Sequence, residues 1–156
     1  MRVHICAVGR LRAGPERELV DDYLSRFDRT GRALGLGPAS MTEVEDRKGG
    51  GLAAQARLLQ KSIPPGALSC VLDERGNAMR SPEFAEQLAR WRDDGLQDVA
   101  FLIGGADGLD PELRIRADAS LSFGKMVWPH MLARVMLAEQ LYRAATILAG
   151  GPYHRI

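Results

Sequence analysis

Short apolar runs alternate with amphipathic stretches along the whole chain. Val3-His4-Ile5-Cys6-Ala7-Val8 has the length and character of a buried strand ended by a glycine turn at Gly9. Pro15 to Phe27 then sets Leu19, Val20, Tyr23, Leu24 and Phe27 at helical spacing. The order repeats. A Gly-rich connection (Gly31, Gly35, Gly37) leads to a weak strand around Met41 to Val44. Beyond Lys48-Gly49-Gly50-Gly51 the spacing predicts a helix over Leu52 to Ser62, closed by Pro64-Pro65-Gly66. Leu68 to Leu72 is the next strand. Ser81-Pro82-Glu83 supplies a cap and first turn for a helix reaching Trp91 and ending at Gly95, and Val99 to Ile103 is the most apolar strand, stopped by Gly104-Gly105. Strands that are apolar throughout are covered on both faces, so the pattern predicts an α/β fold with a mostly parallel sheet flanked by helices. Ligand sites in such sheets lie outside the carboxyl ends of strands, here the loops after Leu72, Ile103 and Phe123.

A final helix, from about Met131 to Ala149, carries two apolar rows: Val135, Ala138, Tyr142, Ala145 and Leu137, Leu141, Ala144, Leu148. One sheet cannot bury both rows. A second buried face inside the monomer would also serve, but in so small a domain a partner subunit is the expectation, as a two-fold homodimer. Glu139 and Arg143, four residues apart, read as ordinary helix support.

The length of 156 residues suits one domain, 1–156, and 46% hydrophobic with 26% charged residues is globular composition. Cys6 and Cys70 sit inside apolar runs and are expected as buried free thiols. Met1-Arg2-Val3-His4 enters a strand directly, without the apolar segment of a signal peptide or a membrane span, so a cytoplasmic protein with no membrane association is expected. Net charge is only +1, which argues against coating nucleic acid by electrostatics alone. The distribution is uneven. From Arg114 onward six basic residues face two acidic ones, against 15 and 18 before it, so the C-terminal third can meet a polyanion.

Three segments offer chemistry. Gly104-Gly105-Ala106-Asp107-Gly108 follows a strand and allows close backbone approach to a ligand, although a plain turn explains the glycines nearly as well. It has neither dinucleotide-fingerprint nor phosphate-loop spacing, which leaves a nucleotide-dependent enzyme weakly supported. Leu121 to His130 is an apolar, small-residue loop leading into the last helix; it could wrap a flat heterocycle, or equally be a strand and a cap. His130 at the helix start is expected to be neutral, with a structural or substrate-orienting role. Tyr153-His154-Arg155 lies behind the Gly150-Gly151-Pro152 bend, and an imidazole between a phenol and a guanidinium suits a site. No His or Cys pair has zinc spacing and no serine sits in a nucleophile elbow, so no metal is expected.

Taken together, Leu72-Asp73-Glu74-Arg75-Gly76, Phe101 to Leu109, Leu121-Ser122, Pro129-His130, Arg134-Val135, Glu139 to Ala144 and Pro152 to Arg155 resemble the ribosomal RNA large subunit methyltransferase H family over nearly the full length. The resemblance implies a SPOUT-type domain, trefoil-knotted over about 68–156 and working as a homodimer. Knots are rare exceptions to the usual threading rules. It further implies methyl transfer from S-adenosylmethionine to N3 of a pseudouridine in the large-subunit (23S) ribosomal RNA. Carried onto this sequence, the cofactor contacts are Leu72, Gly104 and the loop Phe123, Gly124, Lys125, Met126, Val127, Trp128. His130 and Arg134 fall on the substrate side, and Tyr153, His154 and Arg155 are the catalytic candidates, with His154 expected to assist deprotonation and Arg155 to hold the anion or a phosphate. Val127 stands where relatives often carry threonine and Asn77 where lysine is frequent, so contacts there are expected through the backbone; Ile156 adds a residue beyond the usual basic end. With so small a net charge, assembled ribosomes are the expected substrate. A non-catalytic ribosome-binding or assembly factor is the alternative, and it would need no cofactor.

Overall fold

The apolar run at 99–103 becomes the middle of the protein. In the computed structural model, which describes residues 1–155, the elements follow as β1 (Arg2–Val8), α1 (Pro15–Gly31), a 3-10 turn (Arg32–Leu34), β2 (Ala39–Val44), α2 (Gly51–Ser62), β3 (Leu68–Ala78), α3 (Ser81–Asp93), β4 (Asp98–Ile103), α4 (Pro111–Arg116), β5 (Ala119–Ser122) and α5 (His130–Leu148). The sheet has five strands in the order β2-β1-β4-β3-β5, and every pairing is parallel. All of β4 is buried, as its lack of polar alternation requires.

Alternation along the strands divides the core in two. Val3, Ile5, Ala7, Val99, Phe101 and Ile103 point to α1, α3 and α5, whereas Cys6, Val8, Ala100 and Leu102 point to α2 and α4. Both cysteines are buried and free, and burial pushes the Cys70 thiol up to about 12.

The structure departs from the sequence reading in four places. Helix α1 runs one turn past Phe27, because Phe27 and Gly31 both face the core. Strand β3 continues to Ala78 through a register shift in which Leu72 and Asn77 both pair with Leu121. Helix α4 is too short to show periodicity; its local signal is Asp110, whose carboxylate accepts from the Leu113 N–H at 3.3 Å, followed by Pro111. The cap of α3 is Arg80, whose N–H donates to Glu83 at 2.7 Å, while Ser81 Oγ donates to Gln140 on α5 at 2.8 Å.

The expectation for α5 also needs correction. Leu137, Ala138, Leu141, Ala144 and Ala145 are all buried within one chain, because α1 and α3 pack along the helix as well as the sheet. Val135, Tyr142 and Leu148 are half-buried, and the exposed large apolar side chains of this region are Met131 and Leu132 in the first turn with Met126, Val127 and Trp128 just before it. No helix among the described residues is long and apolar enough to cross a membrane.

At the amino end of the sheet, Asp98 accepts from Arg2 Nε at 2.7 Å and Nη2 at 2.8 Å, with His4 Nε2 also at 2.7 Å. Arg2 chiefly, with His4, holds the Asp98 carboxyl well below the usual range despite its burial. A group depressed on folding stabilises above its unfolded value and loses that contribution as pH falls through the lower folded one. Asp98→Asn should therefore melt at a lower temperature at pH 7, and calorimetric scans should show the gap from wild type closing as pH drops below about 3.8.

Candidate active site

The carboxyl ends of β3, β4 and β5 open onto one cleft of about 490 Å³. That is within the size range of small-molecule sites. Leu72, Asp73 and Glu74 form the β3 side, Gly104 to Ala106 with Gly108 and Leu109 the β4 side, and Phe123, Gly124 and Met126 to Pro129 the loop after β5; His130 and Ala133 close it from α5. Two loops singled out separately in the sequence thus share one cavity.

Each wall has a local cause. The turn after β4 folds back so tightly that a Cβ on Gly104 would lie 2.3 Å from the Gly108 carbonyl oxygen. Only glycine fits. The Gly108 N–H closes the turn onto the Gly105 carbonyl at 3.0 Å. Opposite, the buried Ser122 hydroxyl accepts from the Gly124 N–H at 3.1 Å and donates to the Gly124 carbonyl at 2.9 Å, with the Glu74 carbonyl at 3.2 Å. Ser122 thereby ties the loop to the β3 bulge.

Three titratable side chains line the cleft. Asp73 and Glu74 are the acids, both near Arg75. The third is His130, whose imidazole is pushed below its ordinary value by burial and then by the Arg134 charge, so it is neutral at pH 7, as expected for a helix start. Its Nδ1 is buried without a partner among the described residues. Arg75 lies 3.7 Å from Asp73 and 3.4 Å from Glu74, and Arg114 lies 3.9 Å from Asp73, so neither carboxylate stands unpaired.

Leu72, Gly104, Phe123, Gly124, Met126, Val127, Trp128 and His130 come together as the sequence proposed. Lys125 does not; it is exposed and outside the lining. Arg134 needs a larger correction. Its side chain has no solvent exposure, Nη1 donates to Glu43 at 2.9 Å, and Nη2 donates to the carbonyls of Val8 and Gly9 at 2.8 and 2.9 Å. It cannot reach a substrate. It fastens α5 to the ends of β1 and β2, and Glu43 also accepts from the Leu11 N–H. Nothing at a weak strand position such as Glu43 announces this partner 91 residues away.

The tail lies elsewhere. Tyr153 donates its hydroxyl to Glu139 at 3.0 Å, Arg143 Nη1 is 3.2 Å from His154 Nδ1, and the Tyr142 and Tyr153 rings are 4.6 Å apart. Arg155 is exposed, and Ile156 lies outside the described residues. Glu139 is six positions beyond Ala133, about 9 Å along the helix and about 120° around it. Within one chain the tail and the cleft thus occupy different faces of α5. Glu139 and Arg143, read from sequence as helix support, are the tail's anchors.

The family described as "Predicted SPOUT methyltransferase" matches residues 1–154. The ribosomal RNA large subunit methyltransferase H of Dinoroseobacter shibae is 73% identical over 156 residues, and that of Ruegeria sp. (strain TM1040) is 70% identical over 156 residues; each match covers 100% of both proteins. A probable methyltransferase from Bordetella pertussis Tohama I has the same fold, with a TM-score of 0.53 at 17% identity, covering 92% of this chain and 96% of that one. The chain belongs to the SPOUT methyltransferases and, among them, to the ribosomal RNA large subunit methyltransferase H family. It is an S-adenosylmethionine-dependent enzyme, and the cleft's size and its largely apolar, glycine-rich lining fit that cofactor. Gly104→Ala should weaken S-adenosylmethionine binding by roughly tenfold or more, the equivalent of about 1.4 kcal/mol. Calorimetric titration will measure it, with circular dichroism to verify the fold.

Proposed function

We propose that this chain methylates N3 of a pseudouridine in large-subunit (23S) ribosomal RNA, as a homodimer in which the tail of one protomer meets the cleft of the other. The observation that carries this reading is the separation of the two halves on α5: the cleft sits at its first turn, whereas Tyr153 and His154 are pinned near Glu139 and Arg143. A second copy resolves the separation. Met126, Val127, Trp128, Met131 and Leu132 form an exposed apolar run beside the cleft, and covering it would also close the cleft to water.

S-adenosylmethionine supplies the methyl group as a sulfonium electrophile. Leu72, Gly104 and the Phe123–Trp128 loop would hold it largely through main-chain groups and apolar contact. His130, neutral at the rim, orients the incoming base. N3 of pseudouridine is a weakly acidic imide, so the site must stabilise the anion left when its proton departs. Tyr153 and His154, held on α5, and Arg155, which no ion pair claims among the described residues, provide the groups for this. Alignment of N3 with the methyl carbon supplies much of the remaining rate.

The domain is 1–156, and this reading threads about 68–156, which holds every cleft residue, as a trefoil knot. Ten basic side chains are exposed and outside any ion pair among the described residues, Arg116, Lys125 and Arg155 of the C-terminal third among them, but the net charge is only +1. On this reading recognition relies on the shape of an assembled ribosome, in the cytoplasm, more than on charge alone.

Mass spectrometry of 23S ribosomal RNA should find N3-methylpseudouridine in cells carrying this gene and none after its deletion; an unchanged RNA sinks the reading. Truncation after Pro152 should abolish methyl transfer to ribosomes while leaving calorimetric cofactor binding intact. Leu132→Glu, at a position already exposed in the single chain, should sediment as a monomer in analytical ultracentrifugation and lose transfer activity.

A further inference from the structure

His154 is held so that only one of its two nitrogens is left for a substrate. Arg143 Nη1 lies 3.2 Å from His154 Nδ1. A guanidinium has donors and no acceptor, so this contact requires Nδ1 to present its lone pair. In the neutral ring the proton then sits on Nε2. The guanidinium is itself immobilised: Glu139 Oε1 accepts from Arg143 Nε at 3.0 Å and from Nη2 at 2.5 Å, and the Tyr153 ring lies beneath it at 4.9 Å. The same carboxylate oxygen accepts from the Tyr153 hydroxyl at 3.0 Å. Burial, then Glu139, pushes the Tyr153 phenol above its ordinary value, so it remains a donor and removes no proton.

We propose that Arg143, braced by Glu139, locks His154 as the Nε2–H tautomer, so that His154 meets the pseudouridine as a hydrogen-bond donor and not as the base for N3. Arg143 and Glu139 are then positioning residues, and the catalytic contact is His154 Nε2–H. This rests on the methyl-transfer reading above and reverses the role that the sequence alone suggested for His154. Loss of the N3 proton spreads negative charge onto the two ring carbonyl oxygens that flank N3. A fixed N–H aimed at one of them interacts more strongly with the anion than with the neutral base, which is the condition for catalysis. The N3 proton is lost to solvent before the site closes, the N3–carbon bond then forms as the carbon–sulfur bond breaks, and the neutral thioether departs. For His154 to remove the proton through Nε2, the ring would need its other proton on Nδ1, the atom that faces Arg143.

Nitrogen-15 NMR of the imidazoles in the full-length labelled protein tests the lock directly, with His154→Gln assigning the signals. The expected pattern for His154 is a pyridine-like Nδ1 and a pyrrole-like Nε2, collapsing to an averaged tautomer mixture in Arg143→Met. The opposite tautomer, or a mixture already present in wild type, overturns the proposal. Methyl transfer to ribosomes tests the donor. His154→Gln, whose amide N–H can stand where Nε2–H does, should stay within about tenfold of the wild-type kcat, while His154→Ala should lose about 100-fold or more, the loss typical of one missing oxyanion donor. If Gln is as impaired as Ala, the donor role is wrong. Wild-type protein that transfers no methyl group would overturn the parent reading and the donor role with it, whereas the NMR pattern would still decide the tautomer.

Discussion

Arg134 is a full positive charge without solvent exposure, and the rest of the molecule is arranged around satisfying it. An unpaired charge at such depth is strongly destabilising, and removing one partner of a buried pair typically costs about 3–5 kcal/mol. Glu43 accepts from Nη1 and the carbonyls of Val8 and Gly9 accept from Nη2, while Nε is buried without a partner among the described residues. These partners come from the ends of β1 and β2, so one side chain fixes the last helix to the carboxyl edge of the sheet. His130 begins that helix and lines the cleft, and the Arg134 charge behind it helps keep its imidazole neutral. A residue outside the cleft thereby fixes the helix that carries a cleft residue and adds to the effect of burial on its protonation.

The cleft depends on a second constraint, of space instead of charge. The return of Gly108 against Gly104 leaves no room for a side chain, and the register shift in β3 lets its bulge meet the Ser122 hydroxyl. Main-chain groups from two turns are consequently aimed into one cavity. Such a wall tolerates changes in side chains, which is why Val127, exposed and without a hydroxyl, still suits its position at the rim.

Helix α5 links the two halves of the chemistry and separates them. Its first turn faces the cleft; Glu139, which with Arg143 holds the tail, lies about 9 Å farther along the axis from Ala133 and about 120° around it. A rigid helix cannot bring both to one point. The exposed large apolar residues of this region lie at the cleft, and the proposed second copy would cover them. Most of the apolar surface on α5, which first suggested a partner, packs against α1, α3 and the sheet, with Val135, Tyr142 and Leu148 half-buried.

Periodicity alone determined the alternation of strands and helices, the buried character of β4, and the three loops where a ligand would sit, because these follow from local spacing of apolar residues and glycines. Residue chemistry also drew attention to Gly104 to Gly108 and Leu121 to His130, and the family resemblance narrowed these to Gly104 and Phe123 to Trp128. The sequence could not place Glu43 against Arg134, show that Lys125 stands outside the lining, or reveal that Glu139 and Arg143 hold the tail. Nor could it show which nitrogen of His154 is engaged. Those facts depend on contacts between residues far apart in the chain, or on opposite faces of one helix, and a side chain's partner there is chosen by packing and by the need to satisfy buried charge. Local pattern records which residues are capable of chemistry; only the tertiary structure decided which of them became structural, which became anchors, and which were left free to meet a substrate.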